Sequence, residues 1–193
     1  MALTDTYKRL EHPPSDREVT PEELNFNQQW GRCELIDGKV ILMSPAGHNH
    51  GKLGAELLIL IGQYVKANKL GEVYAAETGF VFPNGKTVRA PDVMFLSTAR
   101  IPPDMGEDVY LPIAPDFAVE VVSLSDKFSD ATAKAESFLS AGVRLVWVVQ
   151  PNDRSVHVFR QGQAVRVYKS GETLGGEDVL PGLNISVDQI FER

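Results

Sequence analysis

Residues 116–149 read DFAVEVVSLSDKFSDATAKAESFLSAGVRLVWVV, and three pieces are visible in them. The first eight residues are mostly apolar and β-branched, and they read as a strand. A Ser/Asp-rich loop over 123–129 leads into a helix from about Asp130 to Ser140. Gly142 suits the left-handed position that ends it. The run VRLVWVV (143–149) is apolar without alternation, as in a central strand covered on both faces. Strand, helix, strand is the signature of a parallel pair joined by a right-handed crossover. One residue in the first strand is out of place. Glu120 stands between Val119 and Val121. An unpaired buried charge is costly, so a buried Glu120 must be neutralised, paired or bound to a metal. On a solvated face, a salt bridge to a neighbouring strand would serve as well, and this stretch alone leaves both readings open.

The rest of the chain supplies strands and helices around that unit. Thr20-Pro21-Glu22-Glu23 combines an N-cap, a first-turn proline and a capping-box glutamate, which predicts a short helix to about Gln29. CELIDGKVILM (33–43) predicts a hairpin with a tight type I′ turn at Asp37-Gly38. Leu53, Leu57, Leu60, Ile61, Tyr64 and Val65 form a stripe on a helix over about 49–66. EVYAAETGFVF (72–82) and TVRAPDVMFLS (87–97) flank a second turn at Asn84-Gly85, and Pro91 interrupts the latter strand. Four prolines mark residues 101–115 as an irregular loop. SVHVFR and AVRVYK alternate as a closing hairpin, and ISVDQIFE predicts a short final helix. Residues 1–18 are expected to be a flexible lead-in and 19–193 a single domain. The fold class is mixed α/β or α+β around one sheet.

Composition bounds the function. At 193 residues, 43% apolar and 23% charged, the chain can bury one full core. No apolar run approaches the ~20 residues of a membrane span. The polar N-terminus lacks the apolar region of a secretory signal. With only Cys33, neither an internal disulfide nor a cysteine zinc site is available, and a reducing, cytoplasmic setting fits. The net charge of −7 argues against broad coating of DNA, whose affinity comes mainly from phosphate neutralisation. A local basic groove, or a site where a metal carries the positive charge, is compatible with it.

Two further residues bear on Glu120. Asp92 follows Pro91 and opens an apolar strand, which on its own is a strand-entry device. Lys134 shares a helical stripe with Ala131, Phe138 and Ala141, so it lies toward the sheet. An amphipathic lysine with its head in water is the ordinary reading. Together they form an ordered set: Pro-Asp on one strand, Glu on a later strand, Lys on the helix after it.

This set resembles the PD-(D/E)xK nuclease superfamily, and within it the Uma-type branch of restriction endonuclease-like domains. The similar text includes CELIDGKVILMSPAGHNH, RAPDVMFLS, APDFAVEVVSLSD, the Lys134 helix and AGVRLVWVVQP, over roughly residues 20–190. Single motifs are weak, since Pro-Asp occurs twice, at Pro91-Asp92 and Pro115-Asp116. The resemblance implies an α-β-β-β-α-β core with a mixed central sheet and added hairpins. It implies that Asp92 and Glu120 bind Mg²⁺ or Mn²⁺, with the backbone carbonyl of Val121. The superfamily lysine stands two residues after the second acid, where this chain has Val122. The Uma-type branch moves it to the following helix, where Lys134 stands. Glu34 matches an additional acid of that branch, and on its own reads equally as an exposed residue beside a turn.

The chemistry such a site would run is phosphodiester hydrolysis. A hard divalent cation lowers the pKa of water and screens the phosphate, and one or two carboxylates with a carbonyl suffice to hold it. Lys134 would orient the water or stabilise developing charge. The implied partner is nucleic acid, DNA first, with a homodimer suggested only by fold analogy. Lys52 and Arg89 are candidates for phosphate contacts, as are Lys86, Lys127 and Arg144. His48 and His50 form an H-x-H pair before a helix; a metal-ligand reading is open to them, but without further His or Cys nearby a loop or cap role is expected. Asp116 reads as a strand-entry residue, with a third acid at the site as the alternative, and Trp147 as core in preference to a base-stacking platform. The competing functions are a non-catalytic domain that keeps the nuclease fold for binding or assembly, and a two-carboxylate glycosidase. Nothing in the sequence suggests the aromatic cleft of the latter.

Overall fold

Pro91 divides the molecule. The strand before it and the strand after it enter different sheets in the computed structural model, which describes residues 12–123 and 127–192. Upstream lie α1 (Pro21–Phe26), β1 (Cys33–Ile36), β2 (Lys39–Leu42), α2 (His48–Asn68), β3 (Gly71–Ala75), β4 (Phe80–Val81) and β5 (Val88–Arg89). Downstream lie β6 (Val93–Ser97), β7 (Phe117–Val121), α3 (Phe128–Ala141), β8 (Leu145–Gln150), β9 (Ser155–Phe159) and β10 (Arg166–Tyr168). The chain closes with β11 (Thr173–Gly176), β12 (Leu180–Ser186) and α4 (Val187–Phe191).

The central sheet has six strands in the order β10-β9-β8-β7-β6-β3. Only β7 and β8 are parallel, joined by α3 as the strand–helix–strand pattern requires. The run α2-β3-β6-β7-α3-β8 reproduces the expected α-β-β-β-α-β order. Alternation along β6, β7 and β8 divides the core into two layers. Val93, Phe95, Phe117, Val119 and Trp147 meet Leu53, Leu57, Ile61 and Val65 of α2, with the β11–β12 hairpin and α4 completing that layer. Met94, Leu96, Ala118, Val146 and Val148 meet Ala135, Phe138 and Ala141 of α3 on the other face. Each large apolar side chain so buried contributes about 1.5–3 kcal/mol relative to exposure.

The first hairpin forms as expected. Asp37 and Gly38 take positive φ values of 48° and 77°, as a type I′ turn demands. It does not join the central sheet. Instead β2-β1-β5-β4 make a separate antiparallel sheet, because Pro91 cannot continue the ladder from β5 into β6. In place of the single expected sheet, the described residues form a central mixed sheet and two smaller ones.

Other boundaries differ from the sequence pattern. α1 stops at Phe26 and a 3₁₀ turn follows over Gln28–Trp30. α3 starts at Phe128, two residues early, and Gly142 caps it at φ 108°. The β11–β12 hairpin is hidden in the sequence because its glycines look like turn signals, and Ile185 and Ser186 end β12 instead of opening the last helix. Of the expected lead-in, residues 1–11 lie outside the described residues, as does Asp126 of the loop before α3. Glu18 takes an ion pair with Lys86 at 2.6 Å, and Arg17 pairs with Glu23.

Candidate active site

The end of the β6–β7 ladder builds one half of the site. Val93 pairs with Val119, so continuing the register puts Pro91 opposite Val121. The strand has broken there, and the Val121 N–H would be left without a backbone partner. Asp92 takes it: Oδ2 accepts from Val121 N at 2.8 Å. The same oxygen lies 3.1 Å from Nε2 of His50, on the first turn of α2. Asp92 is 7% exposed, and among the described residues no donor reaches its Oδ1.

Glu120 supplies the other half. It points to the α3 side of the sheet, with Ala118 and Val122, and is 8% exposed. Lys134 reaches down from α3, one turn before Phe138. Its ammonium lies 3.0 Å from Oε1 and 3.2 Å from Oε2 of Glu120. A third carboxylate arrives from the smaller sheet: Glu34 of β1 lies 3.0 Å from the same ammonium and accepts from Ala90 N at 3.3 Å. The partner that Glu120 requires is thus Lys134, shared with Glu34.

The charges do not balance within this group. The Glu120 carboxyl is raised to about 8: burial pushes it up most, Lys134 pulls it back in part, and Asp92 and Glu34 add to the rise. Burial works against the Lys134 charge, but Glu120 and Glu34 outweigh it and hold the ammonium above the ordinary lysine range. Two acids around one lysine, with a third acid adjacent, leave net negative charge in a half-closed space. Such a site takes up a proton or a cation. His50 is raised too, first by its hydrogen bond to Asp92, although burial opposes this.

These groups sit along a cleft of ≈ 1040 Å³ between the two larger sheets. Its walls include Arg32, Arg89, residues 42–50 and Tyr110. Over residues 19–188 the chain matches the family profile named Uma2 and described as "Putative restriction endonuclease". The chain belongs to the Uma2 family. Among solved structures, the Uma2 fold seen here is similar to one described as a putative nuclease belonging to DUF820 from Anabaena variabilis ATCC 29413. The TM-score is 0.76 at 23% identity, covering 90% of this chain and 97% of that one, which is a likeness of fold. No curated protein matches this Uma2 chain.

A hard cation fits the donor set of this Uma2 cleft. Asp92 and Glu120 offer carboxylate oxygens, and Val121, whose carbonyl is the third expected donor, lines the same cleft. Glu120 Oε1 is buried and receives no well-aligned hydrogen bond among the described residues. No three His, Cys, Asp or Glu side chains are gathered into a cage among the described residues, so a cation here would keep several waters.

The structure sorts the other candidates. Arg89 lines the cleft, and its buried Nε has no hydrogen-bond partner among the described residues. Lys52 is absent from the walls and donates to the Glu192 carbonyl at 2.7 Å. Lys86 is taken by Glu18, and Arg144 by Asp116 and Asp178. Asp116 is fully buried, accepting from Ser97 N and Arg100, both at 2.9 Å, so its work is structural. Trp147 packs edge-on against Phe117 in the core. His48 is exposed on the rim. His50, expected in a loop or cap role, instead meets Asp92. A signal for this exists in the sequence: position 50 precedes Leu53, Leu57 and Ile61 at helical spacing, so it continues their buried stripe.

Proposed function

We propose that this protein is a metal-dependent endonuclease that hydrolyses phosphodiester bonds, with DNA as the first substrate to test. The observation that supports this most is the seating of the Lys134 ammonium between Glu120 and Glu34, beside Asp92, in an open cleft. A salt bridge needed only for stability has no reason to seat one lysine between two carboxylates with a third acid close by, because the surplus charge destabilises the fold. When bound, Mg²⁺ or Mn²⁺ would supply Lewis acidity and lower the pKa of water.

Asp92 and Glu120 would hold that ion, with the Val121 carbonyl. Lys134, held firmly protonated, acts as a hydrogen-bond donor and positive charge; it is no general base. It orients the attacking water and stabilises charge building on the phosphate. Glu34 fixes the ammonium from its far side. Arg89 and Arg32 on the walls meet flanking phosphates. A homodimer would bring two such sites to the two strands of a duplex, and the lone Cys33 suits a reducing cytoplasm.

The test is incubation of supercoiled plasmid with Mg²⁺ or Mn²⁺, beside Glu120→Ala and Lys134→Ala variants and an EDTA control. Cleavage by the natural protein alone, abolished by EDTA and by either substitution, supports the reading. Cleavage that survives both substitutions refutes it. Failure to cut DNA and RNA of any strandedness favours a nuclease fold kept for binding or assembly.

A further inference from the structure

We propose that His50 is a positioning residue that fixes Asp92 for metal binding; this rests on the metal-dependent reading above. The geometry is specific. A carboxylate only accepts hydrogen bonds, so the 3.1 Å contact has Nε2–H of His50 donating to Asp92 Oδ2. Val121 N–H donates to the same oxygen at 2.8 Å. Two donors on one oxygen occupy its lone pairs and stop the carboxylate from rotating. Oδ1 is then the atom presented to a cation.

The two donors come from different layers. Val121 belongs to β7 in the sheet, and His50 to α2, packed on the face opposite α3. Asp92 lies at the sheet's end, where both layers reach it. The helix holds His50 in place through the three buried residues that continue its stripe, Leu53, Leu57 and Ile61. His50 is itself only 15% exposed, so its ring has little freedom to leave. A purely packing role would be served better by leucine at this stripe position, without a polar ring to satisfy. Positioning partners of this kind raise metal affinity while making no bond to the metal.

The experiment measures Mn²⁺ affinity by the EPR signal of the free ion, with no substrate present. The proteins are natural, His50→Leu, His50→Gln and Asp92→Asn. Circular dichroism checks that each is folded. Glutamine can place an amide N–H near the position of Nε2, and leucine cannot. The expected result is binding by the natural protein, weakened by about 10–100-fold in His50→Leu and largely restored in His50→Gln. Equal affinity in the natural protein and His50→Leu overturns the inference while leaving the metal reading intact. A histidine nitrogen coupled to bound Mn²⁺ in pulsed EPR, lost in His50→Leu, also overturns it, because His50 would then be a ligand. Natural protein that binds no Mn²⁺, or Asp92→Asn that binds as well as natural, defeats the metal assignment itself.

Discussion

Replacing Glu120 by glutamine should make the metal-free protein more stable. Glutamine has the same shape and keeps an oxygen for the Lys134 ammonium, which also retains Glu34 at 3.0 Å. What it removes is an acid whose folded pKa is about 8, against an ordinary 4.5. Because the folded value is raised, the folded state holds a proton that the unfolded state has released between pH 4.5 and 8. Stability therefore falls as pH rises through that window. At pH 7 the gap between 4.5 and 7 corresponds to about 3 kcal/mol. A domain of this size shifts its Tm by about 2–4 °C per kcal/mol, so the variant should melt about 6–12 °C higher. Melts followed by circular dichroism in EDTA, from pH 5 to 8.5, test this. The difference should shrink toward pH 5 and widen toward pH 8. With saturating Mn²⁺ the natural protein should gain stability and the variant should not. A variant no more stable than the natural protein at pH 7, or a difference flat with pH, would refute the reasoning about Glu120.

Other outcomes follow from the same geometry. Lys134→Met should do the opposite of Glu120→Gln, costing about 3 kcal/mol in the metal-free protein because Glu34 and Glu120 lose their cation; chemical denaturation at pH 7 measures it. Mn²⁺ affinity should rise with pH, by up to about tenfold per unit, until Glu120 is ionised near pH 8, and calorimetry in buffers of different ionisation enthalpy should record the released proton. Asp116→Ala should cost about 2–3 kcal/mol and leave Mn²⁺ affinity unchanged, since that carboxylate serves Ser97 and Arg100 away from the cleft. Burial would raise Asp116, but those donors outweigh it and hold it below its ordinary value. Its contribution is therefore full above about pH 4 and is lost on acidification, so acid melts of the variant should lack that component.

Local pattern carries much of this architecture. The parallel β7–α3–β8 unit is legible because a continuous apolar run, a capped helix and a second such run have few other solutions. Lys134 is legible because helical spacing puts it on the buried stripe with Phe138. Glu34 is harder: it sits beside a turn in a four-residue strand, where exposure is the ordinary outcome, and only the family resemblance singles it out. Its burial depends on the second sheet docking against α3, a long-range fact that no local pattern encodes. His50 misleads for a related reason. A histidine in a Gly- and Pro-rich neighbourhood reads as loop, although the stripe behind it places it on the packed face. The β11–β12 hairpin is masked by its glycines, whose turn preference the tertiary packing of Leu174, Leu180 and Leu183 overrides.

The two walls of the cleft are unequal in depth of packing. The sheet bearing Glu34 and Arg89 rests on a small cluster: Val19, Leu24, Trp30, Leu35 and Val88. The sheet bearing Asp92 and Glu120 is held from both sides by α2 and α3. Free energies of local opening track such differences. Amide hydrogens of β1 and β2 should accordingly exchange before those of β7 and β8. Subglobal fluctuation of the lighter wall would widen the cleft for a bulky polymer and withdraw Glu34 for a moment, while Asp92, Glu120 and Lys134 keep their places on the slower-exchanging body.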